Sequence, residues 1–212
     1  MNTRKNAMAQ SILLACALTV TACTGGASPP QPPESASPSV EKSPSPTPSP
    51  SPTKPKYQPA TAKGPAKNVP VPEYTALAHK NSEQGAQAFG EYYFQLMNYV
   101  GETNITKPIE KVTSRQCQLC GEAIIDPATH SKSINQWQVG GEYEYAAVDS
   151  YKSAKNRALV TLNFKINESK TYTIADNPIA KYEATGTTQA TLQLKFDKGW
   201  VVEKILVIDE NS

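Results

Sequence analysis

Two of the four cysteines lie close together in the chain, at Cys117 and Cys120. A Cys-x-x-Cys spacing supports a disulfide, a redox-active thiol pair or half of a zinc site. An oxidoreductase needs its first thiol at the start of a helix that follows a buried strand, whereas the residues before Cys117 read as the end of a helix. Zinc would also need His79 and His130, whose spacing matches no familiar zinc finger. We therefore favour a disulfide, provided that the domain lies in an oxidising compartment.

Acidic residues could supply a general base at Asp126, Asp149 or Asp176, and His130 could pair with one of them. Any chain of this length offers as many such residues, and turns and helix caps use the same side chains. A glycine-rich phosphate loop, a nucleophile elbow and a metalloprotease helix are all missing from the sequence. We therefore assign no catalytic residue, no metal ligand and no cofactor.

Aromatic side chains are the more informative group. Rings with one polar edge suit a pocket for a small ligand or a glycan, and they also fill hydrophobic cores. The rings that would line or cap a cavity are Tyr92, Tyr93, Tyr99, Trp137, Tyr143 and Tyr145. All of them except Tyr99 form the predicted pocket.

The elements that carry these residues are predicted to be helices first and strands afterwards. Apolar residues at spacings of three and four predict an amphipathic helix; they are Ala86, Phe89, Tyr93, Leu96 and Val100. Asn81 and Gln84 form a variant capping signal at its start, and Gly101 is placed to end it. Pro108 predicts a short second helix, and Pro127 interrupts a third helical segment.

After Gly140 and Gly141 the apolar period changes to two, which predicts strands. The candidates are EYEYAAVDSY, ALVTLNFKI, ATLQLKF and WVVEKILVI. Two of them have an apolar face, formed by Val160, Leu162, Phe164 and Ile166 and by Ala190, Leu192, Leu194 and Phe196. A turn at residues 197–199 joins the last two strands into an antiparallel hairpin, and residues 167–170 form another turn. Helices packed on a curved antiparallel β-sheet make an α+β fold.

The N-terminal segment is typical of an exported protein. A short basic start precedes an apolar run, residues 11–22, that is too short to anchor the chain across a bilayer. The sequence Val-Thr-Ala-Cys at residues 20–23 resembles the bacterial lipobox. This resemblance implies cleavage between Ala22 and Cys23 and a diacylglycerol on the Cys23 sulfur. Two alternatives are a lipobox ending at Cys16, which leaves a second apolar stretch unexplained, and an unlipidated secreted or tethered protein.

Low complexity then extends from residue 23 to about residue 72. Proline, serine, threonine and lysine dominate this segment, and few large apolar side chains offset the entropy of ordering it. We expect a signal peptide at 1–22, a disordered stalk at 23–72 and one globular domain at 73–212. The net charge of +2 gives no support to a nucleic-acid partner.

The lipobox resemblance also bears on the cysteine pair. If Cys16 is removed with the signal and Cys23 carries lipid, Cys117 and Cys120 are the two remaining thiols. Outside the cytoplasm such a pair should oxidise. Because the closed loop is small, we expect a stabilisation of roughly 2 kcal/mol and a local role in pinning a turn between helices.

A broader resemblance covers residues 57–145 best. The segment AFGEYYFQLMNYVGETN, the Cys117 and Cys120 pair, the glycine pair and the lipobox with its stalk resemble a family of actinobacterial lipoproteins of unknown function. The order of elements is similar to the cone-shaped fold shared by ketosteroid isomerase and nuclear transport factor two. That resemblance implies helices in the concavity of a bent sheet, a fold that hosts both enzymes and non-catalytic binding domains.

Two hypotheses for the function follow. The favoured one is a lipoprotein on the extracytoplasmic face of the cell membrane, whose domain binds a cell-wall polymer, a small ligand or another envelope protein without catalysis. The alternative is a small pocket enzyme, an isomerase or hydrolase of the steroid-isomerase type. The alternative requires an acid and a polar partner buried together at the mouth of the cavity.

Overall fold

A computed structural model describes residues 55–208 of the chain. The predicted signal peptide, the cleavage site at Ala22 and Cys23 and the first part of the predicted stalk lie outside the described residues. Four α-helices and one π-helix come first: α1 Glu83–Thr103, α2 Lys107–Glu110, α3 Gln118–Cys120, the π-helix Gly121–Ile125 and α4 Asp126–Ser133. Among the described residues, none of the helices is long and apolar enough to cross a membrane.

Seven strands follow the helices. They are β1 Trp137–Gly140, β2 Tyr143–Ala154, β3 Arg157–Ile166, β4 Ser169–Ile174, β5 Asn177–Tyr182, β6 Thr188–Phe196 and β7 Trp200–Ile208. All of the strand pairs are antiparallel. The strands form a three-stranded sheet in the order β1-β4-β5 and a four-stranded sheet in the order β2-β3-β6-β7. The predicted α+β fold with antiparallel strands is confirmed, and the structure adds that the strands are divided between two sheets.

The chain changes sheet at three places, between β1 and β2, between β3 and β4 and between β5 and β6, and the first two crossings meet at one point. Gly140 and Gly141 separate β1 from β2, and both have positive φ values, 77° and 84°. A Cβ at Gly140 would lie 2.3 Å from the Glu168 carbonyl oxygen, in the second crossing segment between β3 and β4. The Gly141 amide donates to that same oxygen at 3.0 Å. The two crossings are therefore held together at a point that only glycine fits.

Helix α1 is the central element of the core. Its N-cap is Ser82, whose side chain accepts a hydrogen bond from the Gly85 amide. The helix runs past Gly101 and ends at Asn104, which takes the left-handed conformation and donates its amide to the Val100 carbonyl. The helix therefore begins and ends later than Asn81 and Gly101 predicted, because Ser82 and Asn104 are the residues that cap it.

The buried face of α1 packs on the four-stranded sheet. Its predicted apolar stripe is confirmed, since Ala86, Phe89, Tyr93, Leu96 and Val100 are all buried. The sheet presents Val160, Leu162, Leu192, Leu194 and Val202 as fully buried partners. A Cβ at Gly90 would lie 2.8 Å from a Val160 methyl group, so this glycine allows the helix to approach β3 closely.

Residues 55–72 lie against the domain, although the sequence analysis places them in the stalk. The indole nitrogen of Trp137 donates to the Thr61 carbonyl oxygen at 2.9 Å. The Asp176 amide donates to the Ala62 carbonyl oxygen at 2.8 Å, and the Tyr57 hydroxyl donates to the Glu102 carboxylate. Residues 55–72 therefore contact the domain that is predicted to begin at residue 73. Composition did not reveal this, because the contacts of Thr61 and Ala62 use backbone carbonyl groups, which every residue type carries.

Candidate functional site

A cleft in the described part of the chain has a volume of about 620 Å³. It is bounded by the C-terminal half of α1, by the π-helix and α4, by the start of β1 and by the end of β5. Its apolar lining includes Met97, Val100, Ala123, Ile124, Ala128 and Ile166. This size is typical of pockets for small molecules.

Four side-chain amides line the same cleft: Asn167 and three others that are fixed by internal hydrogen bonds. Asn104 donates from Nδ2 to the Gln136 carbonyl oxygen at 2.7 Å. Gln138 donates from Nε2 to the Gly140 carbonyl oxygen at 2.9 Å, and Gln136 donates from Nε2 to the Ser131 hydroxyl at 3.1 Å. Each of these three amides is therefore held in place by one of its own N–H groups. Within residues 55–208, the side-chain oxygens of the three amides have no hydrogen-bond partner.

Tyr143 adds an aromatic ring and a hydroxyl to the cleft. Its backbone is fixed to α1 by Asn98, which donates from Nδ2 to the Tyr143 carbonyl at 3.0 Å and accepts from the Tyr143 amide at 2.7 Å. The Tyr143 phenol is neutral at physiological pH, as tyrosine ordinarily is, and burial raises its pKa further. Its hydroxyl makes no hydrogen bond to any other described residue and is available to a ligand.

Trp137 forms a rigid part of the cleft wall. Its ring is 8% exposed and stacks on Tyr172, with centroids 5.5 Å apart and planes 16° apart. The indole N–H is already used by the Thr61 carbonyl oxygen of the N-terminal segment. Trp137 can therefore offer a ligand apolar surface but no further hydrogen-bond donor.

The charged residues of the cleft are Lys181 and Glu183, and both are exposed. The candidate general bases lie elsewhere: Asp126 in the first turn of α4, Asp149 in β2 and Asp176 in the turn after β4, all of them exposed. His130 is exposed on α4. Between residues 55 and 208, the structure brings no three histidine, cysteine or acidic residues together in a geometry that could hold a metal ion.

Two of the five aromatic residues predicted for the pocket, Trp137 and Tyr143, line this cleft. Tyr93 is buried instead, with its hydroxyl 3.0 Å from the Thr113 hydroxyl, and burial raises its pKa to about 12. Tyr92 stacks on Tyr74 with ring centroids 4.8 Å apart.

Tyr145 packs on Phe94 of α1, with ring centroids 5.0 Å apart. Tyr92 and Tyr93 are on parts of α1 away from the cleft, and Tyr145 shares a strand face with Tyr143 but lies two residues further along β2. Sequence reasoning missed the three amides, Asn104, Gln136 and Gln138. The one available signal was that two glutamines flank Trp137.

The Cys117–Cys120 disulfide is present, which confirms the prediction. Both cysteines are buried, and their Cα atoms are 5.3 Å apart. The bridge precedes the π-helix, where the Asp126 amide bonds the Gly121 carbonyl oxygen. Because Ala123 and Ile124 of this π-helix line the cleft, the disulfide restrains the segment that forms one of the cleft walls.

Comparison with known proteins gives a family but no activity. A solved structure of the intermembrane space region of chloroplast protein ARC6 is similar to the chain, with a TM-score of 0.47 and 13% sequence identity. That match covers 61% of this chain and 98% of the ARC6 chain. No curated protein sequence matches. The model of a family of unknown function, DUF6318, matches residues 55–205, and the chain therefore belongs to this family.

Proposed function

We propose that this protein is a lipid-anchored protein of the bacterial envelope whose domain binds a ligand in the cleft between α1, α4 and β1. One observation carries the binding proposal: the cleft combines an apolar wall with fixed amides and with a Tyr143 hydroxyl that has no partner among the described residues. Polar groups that are fixed in place but not fully hydrogen-bonded are what a binding site offers to a specific ligand.

The anchoring part of the proposal rests on the sequence. A signal at residues 1–22 and lipidation at Cys23 would place the domain on the extracytoplasmic face of the membrane, with the proline-rich segment as a stalk. The resemblance to actinobacterial lipoproteins supports the same location. The Cys117–Cys120 disulfide also supports it, because disulfides persist in oxidising compartments outside the cytoplasm.

A binding role without catalysis is favoured over a small pocket enzyme. The enzyme of the steroid-isomerase type, with its cone-shaped fold, would need an acid and a polar partner buried together at the cleft mouth. The carboxylate at the rim is Glu183, which is exposed. The neutral cleft supports a small ligand of the envelope more than it supports chemistry, and the proposal requires no cofactor.

The binding proposal is tested by titration of the full-length chain, purified in detergent and labelled with ¹⁵N, with soluble fragments of digested cell wall. The chain has two tryptophans, Trp137 in the cleft wall and Trp200 in the core. We expect the indole N–H resonance of Trp137 to shift and that of Trp200 to stay in place.

A matched pair of variants checks the location of binding. Ala123→Phe places a ring in the cleft, whereas Ala175→Phe places one in the turn after β4; both alanines are exposed. Ala123→Phe should abolish the Trp137 shift, and Ala175→Phe should leave it unchanged. Wall fragments that leave Trp137 unshifted in the unmodified chain would contradict the binding proposal.

The anchor is tested in the native host by labelling with a palmitate analogue. The Cys23→Ala variant should lose the label and leave the membrane fraction. Cys16→Ala is the control, which should keep the label and stay in the membrane fraction. Equal labelling of Cys23→Ala and the unmodified chain would overturn the anchor assignment.

A further inference from the structure

We propose that the cleft takes a neutral, hydroxyl-rich ligand of the saccharide class, which donates hydrogen bonds to the side-chain oxygens of Asn104, Gln136 and Gln138 and bonds the Tyr143 hydroxyl. This inference rests on the proposed binding function and specifies its ligand. Some polar atoms of the cleft already make hydrogen bonds within the protein, and the inference follows from the atoms that do not.

The orientation of two amides is fixed by their partners. Asn104 and Gln138 both donate to backbone carbonyl oxygens, which can only accept hydrogen bonds. The nitrogen of each amide must therefore face its partner, and the oxygen is the atom left without one. Gln136 likewise donates from its side-chain nitrogen to the Ser131 hydroxyl. The cleft thus offers a set of acceptors whose positions are held by internal contacts.

The ligand must therefore bring hydrogen-bond donors. An acyl chain would leave these oxygens and the Tyr143 hydroxyl buried without partners, which is unfavourable for each group. A hydroxyl group both donates and accepts, so it can bond an amide oxygen and also the remaining N–H of the same amide. Sugars carry such groups at high density, and their C–H faces suit an apolar wall such as that of Val100 and Ile124.

The charge of the cleft argues for a neutral ligand. Lys181 and Glu183 stand at its rim with opposite charges, and both are exposed. The phenol of Tyr143 is neutral at physiological pH, as tyrosine ordinarily is, and so it adds no negative charge inside the cleft. A phosphorylated or cationic ligand would enter the cleft without a buried counter-charge among the described residues, and desolvation would weaken its binding.

The experiment uses the full-length chain in detergent and two neutral tetrasaccharides, of β-1,4-linked N-acetylglucosamine and of mannose. Inorganic phosphate, spermine and tetraalanine serve as anionic, cationic and peptide probes. Binding is measured by calorimetry and by the side-chain resonances of Asn104, Gln136, Gln138 and Trp137. We expect at least one tetrasaccharide to bind and to shift these resonances, and the other three probes to leave them in place.

A matched pair of hydroxyl deletions tests the contact to Tyr143. Tyr143→Phe and Tyr145→Phe each remove one hydroxyl from β2, but Tyr145 lies outside the cleft, packed on Phe94. Loss of one ligand hydrogen bond should weaken saccharide binding about 3- to 10-fold in Tyr143→Phe. Tyr145→Phe should bind the saccharide as the unmodified chain does.

The outcomes separate this inference from the proposed function. If wall fragments shift Trp137 but neither tetrasaccharide binds, or if tetraalanine, phosphate or spermine binds instead, the saccharide inference is overturned and the binding function stands. Equal saccharide affinities for Tyr143→Phe and Tyr145→Phe would overturn the contact to Tyr143. If neither wall fragments nor saccharides shift Trp137, both proposals fail.

Discussion

Asn98 on α1 and Tyr143 at the start of β2 are joined by two hydrogen bonds, one to the carbonyl and one from the amide of Tyr143. A single side chain thereby satisfies both backbone groups of the first residue after the crossing between the two sheets. This contact fixes the start of β2 to the helix and holds the Tyr143 ring at the cleft.

Replacement of Asn98 by alanine should destabilise the fold and disturb the cleft. The two partly buried backbone groups of Tyr143 lose their partner, which we expect to lower the free energy of unfolding by about 1–3 kcal/mol. Chemical denaturation measures the change. Asn156→Ala is the control, because Asn156 is exposed and its side chain contacts the exposed Asn81; it should change stability by less than about 0.5 kcal/mol. Equal effects of the two variants would contradict the structural role of Asn98.

The crossing of the two sheets should tolerate no side chain at Gly140. Alanine there would meet the Glu168 carbonyl oxygen at 2.3 Å and would have to adopt a φ value of 77°. We expect Gly140→Ala to lose at least about 1–3 kcal/mol in the free energy of unfolding, measured by thermal and chemical denaturation. Gly186→Ala is the matched control, since a Cβ there meets nothing within 4 Å. A stable Gly140→Ala variant would show that the chain crosses between the sheets in another way.

The disulfide should stabilise the domain modestly. The Cys117→Ser/Cys120→Ser double variant removes a bridge across a very short loop, so we expect a loss of about 2 kcal/mol in the free energy of unfolding. Reducing agent should destabilise the unmodified chain by a similar amount and leave the double variant unchanged. Mass spectrometry of the non-reduced chain should find no free thiol at Cys117 or Cys120; two free thiols there would refute the bridge.

The hydrogen bond from the Tyr57 hydroxyl to Glu102 should make the contact of residues 55–72 with the domain sensitive to alkaline pH. This hydrogen bond raises the pKa of Tyr57 from 10.0 to about 12. A pKa that is higher in the folded state means that the stabilisation is fully present below pH 10. It is lost as the pH rises from about 10 to about 12. Because Tyr57 is 44% exposed, the effect on global stability should be small and local.

The measurement uses fluorescence to follow the environment of Trp137 between pH 9 and about pH 12, in the unmodified chain and in Tyr57→Phe. Tyr93 also has a raised pKa and titrates in the same window, so the difference between the two proteins isolates Tyr57. The unmodified chain should change near Trp137 at a lower pH than the core unfolds, because Trp137 bonds Thr61 in the same segment. Identical profiles for the two proteins would contradict the proposed coupling.

Local patterns in the sequence determined a large share of this fold. The apolar spacing that predicted α1, the alternation along β3 and β6, and the turn at residues 197–199 all appear in the structure, because helix and strand periodicity depends on neighbouring residues along one chain. The Cys117–Cys120 bridge belongs to the same class, since both partners lie within three residues of each other.

Tertiary structure decided the division into two sheets and the composition of the cleft. Gly140 and Gly141 indicated a break in the chain, but their role depends on Glu168, which approaches only when the second crossing folds beside the first. The cleft amides come from the C-cap of α1 and from the two sides of Trp137. Their free oxygens exist because long-range partners use the nitrogens.

The sequence by itself thus determined the helix-then-strand order, membership of a family of unknown function and the disulfide. Export and lipidation, which rest on residues 1–23, stay predictions. Only the tertiary structure decided that residues 55–72 lie against Trp137 and that Tyr143 lies in the cleft while Tyr92, Tyr93 and Tyr145 do not. The physical reason is that burial and hydrogen-bond saturation are set by groups far apart in the chain, which periodicity and composition do not encode.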